Sequence, residues 1–266
     1  MSESKVGIIG GSGNYKLLEK YETLKVITEY GEPSSKIHYG SVGGKSVYFI
    51  ARHGENHELP PHKINYRANI QALYNLGVRN VIATHALGSL NPNMKPGDFV
   101  LSNQFINKTW GREDTFYEGP DTVHISISDP FCDKMRQYAK ESLTAAQYPF
   151  HDDAVMLVIQ GPRFNTRAEN LAYYREGNDV ISMTGYPETV LARERGMCYL
   201  SLGIVTDMAC VMDSPVHPEK PTTHADVVKI FAGNRLKMIE VLDACLIMDL
   251  DNEICGCRIA LEGAQV

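Results

Sequence analysis

The chain of 266 residues has no basic run, no long apolar run and no regular cysteine spacing. Each lack excludes something. A nucleic-acid binder gains affinity by neutralising phosphates with lysine and arginine. Here 26 basic residues face 32 acidic ones and the net charge is -6, so nucleic acid is not an expected partner. No stretch approaches the roughly 20 apolar residues that span a bilayer, and the start, MSESKVGIIGGSG, is not a basic segment followed by an apolar one, as a secretory signal would be. No membrane partner and a cytoplasmic location are therefore expected. The six cysteines (Cys132, Cys198, Cys210, Cys245, Cys255 and Cys257) are expected to be mostly reduced. Cys255-Gly256-Cys257 is the exception, open to a redox or disulfide role or to none. No cluster of metal ligands is visible along the chain, so neither a metal nor a cofactor is expected. No internal repeat, low-complexity linker or composition break divides it. Residues 1–250 are expected to form one domain and residues 251–266 a tail carrying Cys255 and Cys257.

What is present is enough apolar residue for a sizeable core, 43 % against 22 % charged, and an alternation of strand-like and helix-like stretches. Lys5–Ile9, Val47–Arg52, Val81–Ala86, Val155–Gln160, Val180–Met183 and Cys198–Thr206 read as strands. Tyr66–Leu76, with Ile70, Leu73 and Leu76 on one face, reads as a helix, as do Arg167–Arg175 and Glu188–Arg195. A helix over Pro130–Ala145 is expected to begin through Ser128-Asp129-Pro130. The longest helix is expected from Thr223 to about Leu246, opened by a capping box of Thr223 and Asp226. This pattern predicts a single α/β domain around a mixed sheet. The proline-containing connection Met208–Thr222 is long enough to be an active-site lid.

Ligands in open α/β sheets sit beyond the carboxyl ends of strands, and four strand ends here carry unusual residues. Gly10-Gly11-Ser12-Gly13 can present backbone N–H groups and a hydroxyl to an anion, or can be a tight turn. Arg52-His53 offers a donor fork suited to phosphate, or a surface salt bridge. His85-Ala86-Leu87-Gly88-Ser89 can close an anion cradle or be an ordinary strand-to-helix turn. Thr206-Asp207 places a carboxyl after an apolar strand, as a helix cap or a functional acid.

Six motifs extend this reading. Gly10-Gly11-Ser12-Gly13, Ala51-Arg52-His53-Gly54, Asn65-Tyr66-Arg67-Ala68-Asn69, Gly161-Pro162-Arg163-Phe164, Met183-Thr184 and Thr206-Asp207 resemble, in order and spacing, the methylthioadenosine phosphorylase branch of the trimeric purine nucleoside phosphorylases. The likeness runs from about Val6 to Leu242. It implies a mixed sheet with a distorted barrel flanked by helices, and phosphorolysis of a purine nucleoside. It implies that phosphate is held by Ser12, Arg52, His53, the backbone at Ala86, and Thr184. The base would stack on Phe164 and meet Asp207, and the ribose would lie against Met183. His124 is similar to a position that reaches a neighbouring subunit's 5′ pocket, which implies a homotrimer, with a hexamer as the alternative. Inorganic phosphate is then a co-substrate, and the nucleoside and phosphate are the partners. The chemistry fits those residue types. Cleaving an N-glycosidic bond leaves positive charge on the sugar, which a phosphate beneath C1′ stabilises and then captures. A buried, protonated Asp207 can donate to the departing base.

The sequence also departs from that pattern. His85 stands where relatives have a small hydroxyl residue contacting phosphate, and a charged imidazole there would replace the hydroxyl or crowd the site. Asn165 lacks the glutamate of enzymes that prefer 6-oxopurines, and Asp207 replaces their asparagine. Both favour a 6-aminopurine. Ala209, where adenine-selective relatives have a second aspartate, and Gly185-Tyr186-Pro187-Glu188, which looks like the methylthioinosine phosphorylases, point the other way. His224 at the start of the last helix suits a 5′-hydroxyl, whereas Val227 and Val228 suit a methylthio group. The expected substrate is methylthioadenosine, with adenosine also taken. The alternatives are a methylthioinosine or 6-oxopurine nucleoside phosphorylase, a nucleoside hydrolase, or an inactive nucleoside-binding protein.

Overall fold

The buried apolar run Val6–Ile9 and the similar run Val47–Ala51 form the two parallel strands at the centre of one half of the sheet. They are β1 (Lys5–Gly10) and β4 (Lys45–Ala51). The computed structural model describes residues 5–11, 18, 20–42, 45–209, 222–246 and 255–265. Ser12, Cys210 and residues 211–221 of the expected lid lie outside the described residues. The remaining strands are β2 (Tyr21–Leu24), β3 (Ile37–Val42), β5 (Asn80–Ser89), β6 (Phe99–Lys108), β7 (Phe150–Ile159), β8 (Val180–Ser182) and β9 (Cys198–Met208). The helices are α1 (Tyr66–Asn75), α2 (Asp133–Ala145), α3 (Arg167–Arg175), α4 (Glu188–Glu194), α5 (His224–Gly233) and α6 (Arg235–Leu246).

These strands make one nine-stranded mixed sheet in the order β2-β3-β4-β1-β5-β8-β7-β6-β9. A further pairing of β9 back onto β5 closes the second half into a barrel. The expected mixed sheet with a distorted barrel is thus observed. β5 makes this possible by changing neighbours along its length. Its first half, Asn80–Ala83, pairs with β1, and its end, Gly88–Ser89, pairs with β8. Between them, at His85–Leu87, the sheet divides, and such switch points are where α/β proteins bind ligands. Opposite this point the β5–β9 register shifts between Leu87 and Gly88, so Val205 faces Leu87 and Asp207 faces Gly88. Thr206 is the extra residue. A bulge of this kind re-aims the side chains that follow it, and here the next residue is Asp207.

Three expectations about elements change. α2 begins at Asp133, not Pro130, because the preceding residues are bound elsewhere. Pro130 O accepts from the Thr189 hydroxyl at 2.9 Å, and Cys132 N–H donates to Tyr199 O at 2.9 Å. The expected long C-terminal helix is two helices, α5 and α6, broken at Gly233-Asn234, where the Asn234 side chain donates to Ile230 O at 2.9 Å. The capping box of Thr223 and Asp226 is present. β2, β3 and β6 carry mixed polar and apolar residues and are additional to the strands read from the sequence. Among the described residues no helix is long and apolar enough to cross a membrane.

Candidate active site

A cavity of about 710 Å³ opens at the switch point. Its floor comes from the ends of β1, β4, β5 and β9 through Gly11, Arg52, His53, Ala86, Gly88, Thr206 and Asp207. Phe164, Asn165, Met183 and Thr184 close one side, and His57, Thr222, His224 and Val227 the other. Most side chains named from the sequence therefore meet in one place, although they span the chain from residue 52 to residue 227.

Arg52 is 1 % exposed and is not a surface salt bridge. Its Nε and Nη2 donate to the two carboxylate oxygens of the fully buried Glu188 at 2.5 and 3.0 Å, and its Nη1 donates to Thr84 O at 2.9 Å. Burial alone would lower the arginine pKa, but the Glu188 carboxylate overrides it and holds the guanidinium charged. Three of the five guanidinium N–H groups are used in these bonds, which leaves two at the cavity wall for an anion. The Tyr199 hydroxyl donates to Glu188 at 2.8 Å and fixes the acid from behind. Gly11 must lack a side chain, because a Cβ there would lie 2.9 Å from Thr84 O and 3.0 Å from Arg52 Nη1. Glu188 was read as a helix start and as the end of Gly185-Tyr186-Pro187-Glu188, not as the partner of Arg52, yet a buried arginine on an apolar strand calls for a buried acid.

His53 contacts Leu59 O through Nδ1 at 2.9 Å. A carbonyl only accepts, so Nδ1 carries the proton. Burial, then the Arg52 charge, pushes the His53 pKa down to about 3. His53 is therefore a neutral imidazole whose Nε2 accepts. Its ring stacks on His57 at 4.6 Å, and His57 lies 5.1 Å from His224. His57 adopts a left-handed backbone conformation, φ 61°, which sets its ring between the other two. It was not anticipated from the sequence. Burial, then His224, lowers its pKa as well.

His85 does not line the cavity. It is 1 % exposed behind Thr184, with Nδ1 3.3 Å from the Thr184 hydroxyl. Burial, then Arg52, holds its pKa well below the ordinary value, which removes the charged imidazole considered from the sequence. It acts on the cavity only by positioning Thr184.

Both oxygens of Asp207 have hydroxyl partners, Thr206 at 2.9 Å and Thr222 at 3.1 Å. Burial nevertheless raises the Asp207 pKa against those two hydrogen bonds. The Thr206 hydroxyl also lies 3.3 Å from Leu87 O. It has one proton, so it can donate to Leu87 and accept from a protonated Asp207, or donate to the carboxylate. The network accommodates either protonation state, as a proton donor requires.

Phe164 is 45 % exposed with its ring at the cavity wall, and the Asn165 amide nitrogen donates to Asn170 at 3.0 Å. Gly161, at φ 63°, carries the chain close over Met183, where a Cβ would lie 2.7 Å from its sulfur. Arg112, also not anticipated, ties the strand ends together by donating to the carbonyls of Gln160, Met183 and Tyr186 at 3.0, 3.0 and 2.6 Å. Val228 is partly buried away from the cavity lining, and His124 is exposed at the surface, paired through its backbone with Ala264. Four cysteines that looked scattered, Cys132, Cys198, Cys255 and Cys257, come together away from the cavity. The expectation that no cluster of metal ligands exists is thereby corrected.

The chain matches the phosphorylase superfamily over residues 5–247. It is 45 % identical over 258 residues to the S-methyl-5′-thioadenosine phosphorylase of Pyrococcus furiosus, covering 97 % of this chain and 98 % of that one. It is 42 % identical to the 6-oxopurine nucleoside phosphorylase of the same organism, covering 98 % of each. The methylthioadenosine phosphorylase of Schistosoma mansoni in complex with adenine superposes with a TM-score of 0.92 at 33 % identity, covering 99 % of each chain. The protein belongs to the phosphorylase superfamily. It is an enzyme of the nucleoside phosphorylase class, and within that class its resemblance is to the methylthioadenosine phosphorylases.

Proposed function

We propose that the protein cleaves 5′-methylthioadenosine with inorganic phosphate, releasing adenine and the 1-phosphate of 5-methylthioribose. The observation that carries this reading is one cavity joining a buried cationic donor, Arg52, to a buried acid with a raised pKa, Asp207. Phosphate is assigned to Arg52, the Ala86 backbone, Thr184 and His53, with Ser12 of the glycine loop expected to join them. Because His53 is neutral with Nε2 free to accept, it accepts a hydrogen bond from the P–OH of a monohydrogen phosphate. Arg52 takes the charged oxygens, so the ion is held in one orientation beneath the sugar. As the glycosidic bond lengthens, this dianion faces the positive C1′ and then bonds to it. The electron pair of the broken bond passes to the purine ring, and Asp207 donates its proton to N7. Phe164 supplies a flat apolar face for the base and Met183 lies along the ribose. No metal or cofactor takes part.

The 5′ end is assigned to His57, His224 and Val227. Aromatic faces pack well against a thioether, and a ring nitrogen can bond a hydroxyl, so methylthioadenosine and adenosine are both accommodated. One observation favours a second reading. A protonated Asp207 donates to a 6-oxo group as readily as an anionic one accepts from an amine, and Ala209 adds no second acid to the cavity. This supports a methylthioinosine or 6-oxopurine phosphorylase as the alternative. A homotrimer in the cytoplasm completes the proposal. Trp110, 70 % exposed and bonded through its backbone to Gln160 beside the cavity-lining Pro162 and Phe164, offers an apolar surface for a neighbouring subunit. Comparing kcat/KM for methylthioadenosine, adenosine, methylthioinosine and inosine tests the assignment. Methylthioadenosine is expected to lead, with adenosine within about 100-fold of it. A lead by either inosine compound would establish the alternative.

A further inference from the structure

The Sγ atoms of Cys132, Cys198, Cys255 and Cys257 all lie within 4.8 Å of one another, and three of the four residues are buried. They come from three separated parts of the chain. Cys132 precedes α2, Cys198 begins β9, and Cys255 and Cys257 belong to the C-terminal segment. The Cys132 and Cys255 sulfurs are 3.6 Å apart. That is well beyond the roughly 2.05 Å of a disulfide bond. It is close to the edge of about 3.8 Å that a tetrahedron with zinc–sulfur bonds of about 2.3 Å requires.

We propose that these four cysteines form a structural zinc site. Four thiolates in a tetrahedral set, with no carboxylate or imidazole among them, select a soft, closed four-coordinate metal. Binding needs no oxidant. Each thiol forms one Zn–S bond and releases its proton to solvent, and neither sulfur nor metal changes oxidation state. The site fastens the C-terminal segment across the base of β9, the strand whose other end carries Asp207. A cross-link between residues so distant in sequence removes much conformational freedom from the unfolded chain. The effect passes inward through short contacts. Cys132 N–H donates to Tyr199 O, and the Tyr199 hydroxyl donates to Glu188, which holds Arg52.

The full-length protein, purified under reducing conditions without chelator, is analysed by elemental mass spectrometry and by intact mass. About one zinc per chain is expected, with all thiols reduced once the metal is stripped. Replacing zinc by cobalt(II) should give the sulfur-to-metal charge-transfer and intense d–d bands of a tetrahedral thiolate site. Cys255→Ser, at the most exposed of the four, should lose most of the zinc and about 5 °C of Tm. Because none of the four lines the cavity, metal content is read independently of turnover. Chains without metal would overturn the proposal, whether the thiols were free or the mass were about 4 Da lower through two disulfides. Iron in place of zinc would overturn zinc as the metal.

Discussion

In the proposed reaction Asp207 is the acid and Arg52 the donor to phosphate, and the two depend on different surroundings at the scale of single side chains. Arg52 keeps its charge because Glu188 is buried against it, and the Asp207 pKa is raised because burial outweighs two hydroxyl donors. Neither property follows from residue type alone. Asp207→Asn keeps the shape and the two threonine contacts but removes the transferable proton. It should lower kcat by about 100- to 10,000-fold with a smaller change in KM. Steady-state kinetics checks this, and an unchanged kcat would remove Asp207 as the acid. The family resemblance placed His53 at the phosphate and left His85 either to donate there or to crowd the site. Burial beside Arg52 makes both neutral, and only His53 reaches the cavity.

At the scale of elements, strand ends and helix starts place the chemistry. β5 holds Gly11 beside Arg52 through Thr84 on one side and brings Asp207 to the cavity on the other, and α5 brings His224 and Val227 to the opposite wall. α5 depends on its start. The Thr223 hydroxyl accepts from Asp226 N–H, and Asp226 accepts in return. Thr223→Ala should cost about 1 kcal/mol in urea denaturation. It should also raise KM for the nucleoside several-fold while leaving kcat nearly intact, because Asp207 sits on β9 and keeps its Thr206 contact there. A fall in kcat alone would contradict the placement of α5 at the 5′ end. The buried apolar runs of β1, β4, β5 and β9 were legible because short apolar runs rich in β-branched residues and bounded by turn residues favour strands. β2, β3 and β6 were not, because strands half open to solvent lack that signal. The break at Asn234 is marked in the sequence by Gly233-Asn234, a pair that ends helices, although no proline reinforces it. The bulge at Thr206 leaves no mark in the sequence, since it arises from pairing between strands more than a hundred residues apart.

Across the whole molecule, neutral buried histidines set how stability varies with pH. His53 and His85 have folded pKa values below the ordinary histidine value, to about 3 for His53. Between about pH 6.5 and pH 3 the unfolded chain binds protons that these two sites do not, so stability falls as pH falls. Each contributes at most about 1.4 kcal/mol per pH unit in that window. Asp207 acts in the opposite sense, since its raised pKa lets the folded chain bind the extra proton. Glu194 and Asp243 act with Asp207, and His38 and His57 act with the two buried histidines. Ordinary histidine values near 6.5 fall between pH 5 and pH 7, so the histidines dominate there and the urea midpoint at pH 5 should lie below that at pH 7. Equal or greater stability at pH 5 would show that the histidines charge in place. The cysteine cluster also belongs to this scale. Only Cys255-Gly256-Cys257 announces it locally, because the barrel and the C-terminal segment must both be in place before the four sulfurs meet.

Phosphate dependence remains the central matter, since a hydrolase would use the same base pocket with water beneath the sugar. Purified enzyme freed of phosphate should be incubated with methylthioadenosine, with and without added inorganic phosphate, while adenine and sugar phosphate are both quantified. Release of adenine only when phosphate is present, matched mole for mole by a sugar 1-phosphate, is the expected result. Equal release without phosphate, or free sugar in place of its phosphate, would contradict the assignment of Arg52 and His53 as a phosphate site.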